Sequence, residues 1–146
     1  MKQLLFFISI IGLTQFSCKK SNSCEATPTS LDGKWRMIIV KENISGSSTT
    51  KPSSILGDVD ITFTSINPTS GTFIGHTPSN DIEPNDYSVG PNQSLTIPNL
   101  IMTKVGETVW GDEFVDNIRS SQEYTFQNCI RLNIKTTNKT LTFQKL

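Results

Sequence analysis

The chain has 146 residues, 13 basic against 13 acidic side chains, a formal net charge of +0 and only 18% charged residues. That balance excludes a nucleic-acid footprint, which needs a clustered basic excess, so no nucleic-acid partner is expected. One histidine excludes a histidine-based metal cluster, and the length suits one domain with a single core.

Residues 1–17 read as a signal peptide. Lys2 supplies a positive charge, and residues 4–13 are apolar apart from Ser9 and Gly12. The run is too short to span a bilayer permanently but suits a cleavable signal. It ends in Gln15-Phe16-Ser17-Cys18, which resembles the relaxed lipobox of bacterial lipoproteins, those of the Bacteroidota in particular. The resemblance implies that Cys18 is lipidated, with a diacylglyceryl group and an N-acyl (palmitate-type) chain. Such chains anchor a protein stably through their buried methylenes. The location implied is the bacterial cell envelope, at the outer membrane and facing the periplasm, since Lys19 and Lys20 stand where surface-exported relatives carry acids. The alternative is an ordinary secretory signal cut elsewhere, with Cys18 as a passenger.

Residues 18–30 form a polar tether containing Pro28 and no apolar periodicity, the composition of a flexible leash. Beyond Cys18 the cysteines are Cys24 and Cys129. In an oxidising compartment they would pair and pin the leash to the domain. The alternative is two thiols, with Cys129 packed as a small hydrophobe.

Residues 31–146 form the domain, where short runs rich in Val, Ile, Thr, Phe and Tyr alternate with Gly, Pro, Asn and Asp, the texture of strands and turns. Strands are expected at 35–40, after the Asp32-Gly33 turn, and at 58–64, where Val59, Ile61 and Phe63 share a face. Residues 43–54 between them read as a polar loop. A strand at 72–75 follows, then an acidic, Pro-containing loop at 80–85. Strands at 87–89 and 94–97 flank a Gly90-Pro91-Asn92 turn, and 101–105 is a further apolar-polar run. Trp110, Phe114 and Ile118 recur at four-residue spacing, which predicts one helix over about residues 110–121 packed onto the sheet. Strands at 124–126, 130–134 and 141–143 close the chain. The fold class is mainly β: a single small barrel-like or sandwich domain of 7–8 strands with one helix.

The order of these pieces resembles the META domain, typified by HslJ-like heat-shock lipoproteins. The matching elements are Trp35, Ile61-Thr62-Phe63, Gly71 to Gly75, Asn80, Tyr87-Ser88-Val89 and Leu95-Thr96-Ile97, continued by Thr103, Phe114 with Ile118, Leu132-Asn133-Ile134 and Leu141-Thr142-Phe143. His76-Thr77 follows Gly75 where that family has Cys-Asn, so no family disulfide carries over. The opening Leu31-Asp32-Gly33-Lys34-Trp35 and the closing Leu141 to Leu146 are also similar to lipocalin-like lipoproteins of the Bacteroidota. Both resemblances imply a small β-barrel on a lipid anchor, and neither brings a catalytic mechanism.

Three features invite chemistry. His76 would need a nucleophile and an orienting carboxylate to act as a base, and reads better as a solvent-facing turn residue. Asp81, Glu83 and Asp86 offer oxygens to Ca2+ but lack EF-hand spacing, and read as a solvated loop. No Gly-rich phosphate loop, Cys-x-x-Cys or nucleophile elbow is present. The expectation is therefore a non-enzyme without metal or cofactor, a lipid-anchored envelope domain that binds a protein partner or supports envelope integrity and stress tolerance. The alternative is a lipocalin-like carrier with an apolar small molecule inside its barrel, which a cavity of several hundred cubic ångströms would favour.

Overall fold

The computed structural model describes residues 28–146. Alternation of apolar and polar residues is realised as nine strands: β1 (Gly33–Glu42), β2 (Ser48–Thr50), β3 (Asp60–Asn67), β4 (Ser70–His76), β5 (Asp81–Gly90), β6 (Ser94–Thr96), β7 (Ser121–Gln127), β8 (Arg131–Thr136) and β9 (Lys139–Lys145). Among the described residues one α-helix, α1 (Val109–Ile118), stands between β6 and β7. Every strand from β3 onward pairs antiparallel with the next, and β9 pairs back onto β1 from Trp35↔Lys145 to Glu42↔Lys139. Eight strands thus close an up-and-down barrel of lipocalin-like topology, rather than a sandwich. The ninth, β2, pairs with Ile39 to Lys41 of β1, beyond the stretch of β1 that β3 occupies.

Closure is uneven. β6 joins β7 through a single register pair, Ser94↔Glu123, whereas β1 and β9 pair over nearly their full lengths. Inward positions carry the core: Trp35 and Met37 from β1, Ile61 and Phe63 from β3, Phe73 from β4, Tyr87 from β5, and Leu132, Ile134, Leu141 and Phe143 from the closing strands. Phe63 meets Tyr87 edge to face at 5.1 Å, and Phe114 of α1 meets Phe143 likewise at 6.4 Å. Offset and edge-to-face geometry suits the charge distribution of aromatic rings.

The barrel has two differently closed ends. At the N-terminal end lie the β3–β4, β5–β6 and β7–β8 turns, crossed by residues 28–32. Leu31 is buried there, and its carbonyl accepts the Trp35 indole N–H at 2.7 Å. At the opposite end, α1 lies across the opening with Trp110, Phe114 and Ile118 buried. Thr108 caps α1, its hydroxyl accepting the Gly111 N–H at 3.1 Å, and Asp112 in the first turn suits the positive end of the helix dipole.

Several expectations are corrected. Residues 80–85 are not a loop: β5 begins at Asp81 and runs through Pro84. A ladder tolerates proline at a bulge, and the β4–β5 register shifts there, between Phe73↔Asn85 and Gly75↔Ile82. The polar 43–54 segment contains β2, whose exposed Ser-Thr-Thr has no apolar side to announce it. The helix ends at Ile118, because Ser121 already pairs with Thr136 as the start of β7. The 101–105 run, read only as an apolar-polar stretch, is a strap bridged to β5 at Ile82↔Met102.

Candidate functional site

At the N-terminal end, residues 29–32 roof a cavity of about 260 Å3. Its floor and walls come from Ser65 of β3, Tyr87 and Val89 of β5, and Tyr124 of β7. Asp32 accepts the Ser65 backbone N–H at 2.6 Å on one oxygen and the Ser30 hydroxyl at 2.9 Å on the other. Burial pushes the Asp32 carboxyl up, but these hydrogen bonds and the charge of Lys145 outweigh it and hold the group below its ordinary range. Tyr87 shares a 3.2 Å hydrogen bond with the Ser65 hydroxyl. Burial, above all, raises the Tyr87 hydroxyl, and the neighbouring Asp32 and Tyr124 add to that rise against the Ser65 bond.

The helix end is organised by two buried asparagines that stand in for missing strand partners. Asn85 receives the Ile101 N–H at 2.6 Å and donates to the Ile101 carbonyl at 3.1 Å. Asn80 receives the Val105 N–H at 2.8 Å and donates to the Val105 carbonyl at 3.2 Å. Each side-chain amide thus completes a backbone pair where the strap has left the ladder. Asn80 also donates to Glu107 at 2.8 Å, and the Thr77 hydroxyl donates to the same carboxylate oxygen. The other oxygen accepts the Thr108 N–H at 2.8 Å. Burial pushes Glu107 up, yet bonds from Thr77, Asn80, Thr108 and Ser79 hold it below its ordinary range. A groove of about 360 Å3 runs beside this network, floored by Leu100, Met102 and Val115 with Lys104 and Arg119 at its edge.

On the outer wall, Asp60 is only 2% exposed and receives a bidentate Arg36 guanidinium at 2.7 and 2.9 Å. Lys34 stands 3.4 Å away, and Arg36 also reaches Asp58, which Lys51 meets at 2.6 Å. Burial raises the Asp60 carboxyl, and Arg36 first, then Lys34 and His76, pull it below its ordinary range. Gly75 is required beside it, because a Cβ there would run into the Asp60 carbonyl.

His76 ends β4 rather than sitting in a turn, half-exposed, with its Nε2 3.8 Å from Asp60. Asp81, Glu83 and Asp86 project from the outer face of β5, and among the described residues no group of three or more His, Cys, Asp or Glu side chains is arranged to hold a metal. Cys129 lies in the β7–β8 turn at the N-terminal end and is disulfide-bonded. Cys18 and Cys24, the residues expected for lipidation and for pairing, lie outside the described residues. The pocket residues Asp32, Ser65, Tyr87 and Tyr124 escaped the sequence reading, since they are scattered along the chain and only barrel closure gathers them.

No family model matches the sequence, and no curated protein matches it. Among solved structures, the chain is similar to the NMR structure of a protein from Burkholderia xenovorans. The identity is 16% and the TM-score 0.56, with 87% of this chain and 97% of that one covered. At that identity the likeness shows a shared fold and nothing more.

Proposed function

We propose that this chain is a lipid-anchored envelope protein, held at the outer membrane through Cys18 and facing the periplasm. Its META-like barrel is non-enzymatic and engages a partner at its surface or supports envelope integrity. The observation that carries the surface reading is the filled interior. Trp35, Phe63, Phe73, Trp110, Phe114 and Phe143 are all buried there, so an apolar ligand inside the barrel would have to displace them. That favours a surface-binding module over a carrier. The polar clusters around Glu107 and Asp60 spend their hydrogen bonds on holding the strap and the wall, which fits structural roles. With Cys18 lipidated, Cys24 is the cysteine left to join Cys129, and this bond would tie the leash to the end of the barrel where residue 28 enters.

Mass spectrometry of the mature N-terminus tests the anchor. The expected result is a diacylated peptide beginning at Cys18, lost in Cys18→Ala; an unmodified N-terminus elsewhere removes the proposal. Native mass spectrometry of protein purified from its own envelope tests the surface reading, and a stoichiometric apolar lipid retained by the folded domain would return the carrier in its place.

A further inference from the structure

The polar groups around the N-terminal cavity are not all spent. Tyr124 is 8% exposed, its ring packs edge-on against Phe126 at 5.7 Å, and its hydroxyl makes no hydrogen bond among the described residues. It is not among the buried polar atoms left without a partner, so it is open to the cavity and free to exchange its water for a ligand. Tyr124 faces the cavity it shares with Tyr87 and Asp32. A carboxylate has about four acceptor positions, and the Ser65 and Ser30 bonds take two on Asp32. The cavity therefore offers an unfilled phenol, which both donates and accepts, beside a carboxylate with accepting capacity left over.

The backbone is shaped to permit this arrangement. A Cβ on Gly71 would lie 2.5 Å from the Tyr87 hydroxyl and 2.6 Å from its ring, so only glycine lets Tyr87 lie against β4 with its oxygen at the cavity. Charge narrows the occupant. Among the described residues Asp32 is the one charged side chain in the lining, which disfavours an anion. Its charge is already countered by Lys145, whose ammonium lies 5.6 Å from the Trp35 ring centroid, so an incoming cation would meet a resident one. About 260 Å3 is slightly below the range for drug-sized ligands, which limits the occupant to one small ring.

We propose that this cavity is a binding site for a small neutral polyol of one sugar ring, whose hydroxyls donate to Asp32 and exchange hydrogen bonds with Tyr124 and Tyr87. Apolar ring faces and neighbouring hydroxyls suit an amphipathic sugar, and the site goes beyond the anchoring role because it is formed by the barrel itself. It does not depend on Cys18.

The test is two-dimensional NMR of the full-length chain titrated with D-glucose and D-galactose, with choline and acetate as charged probes. Saturable shifts at Ser65, Tyr87 and Tyr124 with a hexose are expected. Tyr124→Phe, which keeps the ring and removes only the unpartnered hydroxyl, should weaken hexose binding about tenfold, the equivalent of one hydrogen bond. Its thermal midpoint should stay close to that of the parent, since the hydroxyl is open to the cavity. Asp32→Asn should weaken binding as well, with choline still not bound. Choline binding in preference to hexoses, no response to either hexose, or an unchanged affinity in Tyr124→Phe would each overturn the proposal. Because the site is read on the domain alone, loss of the lipid anchor in Cys18→Ala leaves the expected shifts in place.

Discussion

The two ends of the barrel solve the same closure problem with opposite economies of hydrogen bonding. At the N-terminal end, five residues of irregular chain, bent at Thr29 and Ser30, suffice, because Trp35 finds a backbone acceptor in Leu31. At the other end a helix and the twelve-residue connection 97–108 that carries the strap are needed, and Trp110 is buried with its indole N–H unpartnered among the described residues. The helix end compensates through Asn80, Asn85 and Glu107, which satisfy the backbone that the strap takes out of the ladder. One end is closed by apolar contact and two short bonds, Trp35 to Leu31 and Ser65 to Asp32. The other depends on a polar scaffold, and its weak points differ accordingly.

The largest effect is expected where that scaffold has its most shared member. Asn80→Ala removes both hydrogen bonds to Val105 and one to Glu107, leaving buried groups without partners. A loss of roughly 3–5 kcal/mol follows from several unsatisfied groups at once, measured by urea denaturation, with increased amide exchange confined first to residues 101–108. A loss below about 1 kcal/mol would show that the strap is held by its apolar side chains instead.

The two tryptophans sharpen the contrast further. Trp35→Phe loses its bond to Leu31 and strands that carbonyl, and should cost about 2 kcal/mol from packing and hydrogen bonding together. Trp110→Phe loses similar volume but also removes an orphaned donor, so it should cost measurably less. Equal losses in paired denaturation curves would mean that the Trp110 indole is satisfied in solution.

A smaller effect is written in pH. Glu107 is held below its ordinary value of 4.5, so its contribution is complete above that pH and is lost as pH falls through the lower folded value. Asp32 and Asp60 act in the same direction. Glu107→Gln should therefore be less stable than the parent at pH 7, with the gap narrowing as pH drops below about 4.5. Thermal midpoints collected across that range check the sign; a gap that widens in acid contradicts the assignment.

The strands were legible where one face is buried and the other wet, as in Asp58 to Thr64 and Leu141 to Phe143, and the Trp110-Phe114-Ile118 stripe placed the helix on the core. Pro84 misled because a proline reads as a break until a register shift on the neighbouring strand makes room for it. β2 was invisible because its three side chains are all exposed. The cavity was hidden for a different reason. Residues 32, 65, 87 and 124 carry no shared local spacing, and no periodicity records a set of neighbours created by closing a ring.

The pairing of β1 with β9 bears on how the domain comes to exist at all. Every other neighbour in the barrel is adjacent in sequence and can form as the chain emerges, but Trp35 must wait for Lys145 and Glu42 for Lys139. Closing that span costs loop entropy that local hairpins never meet. Until β9 arrives, β1 and β8 present raw edges, the surfaces on which chains exchange strands or aggregate. During synthesis the domain is therefore a curled ribbon with two open borders, and a single late contact turns it into a vessel.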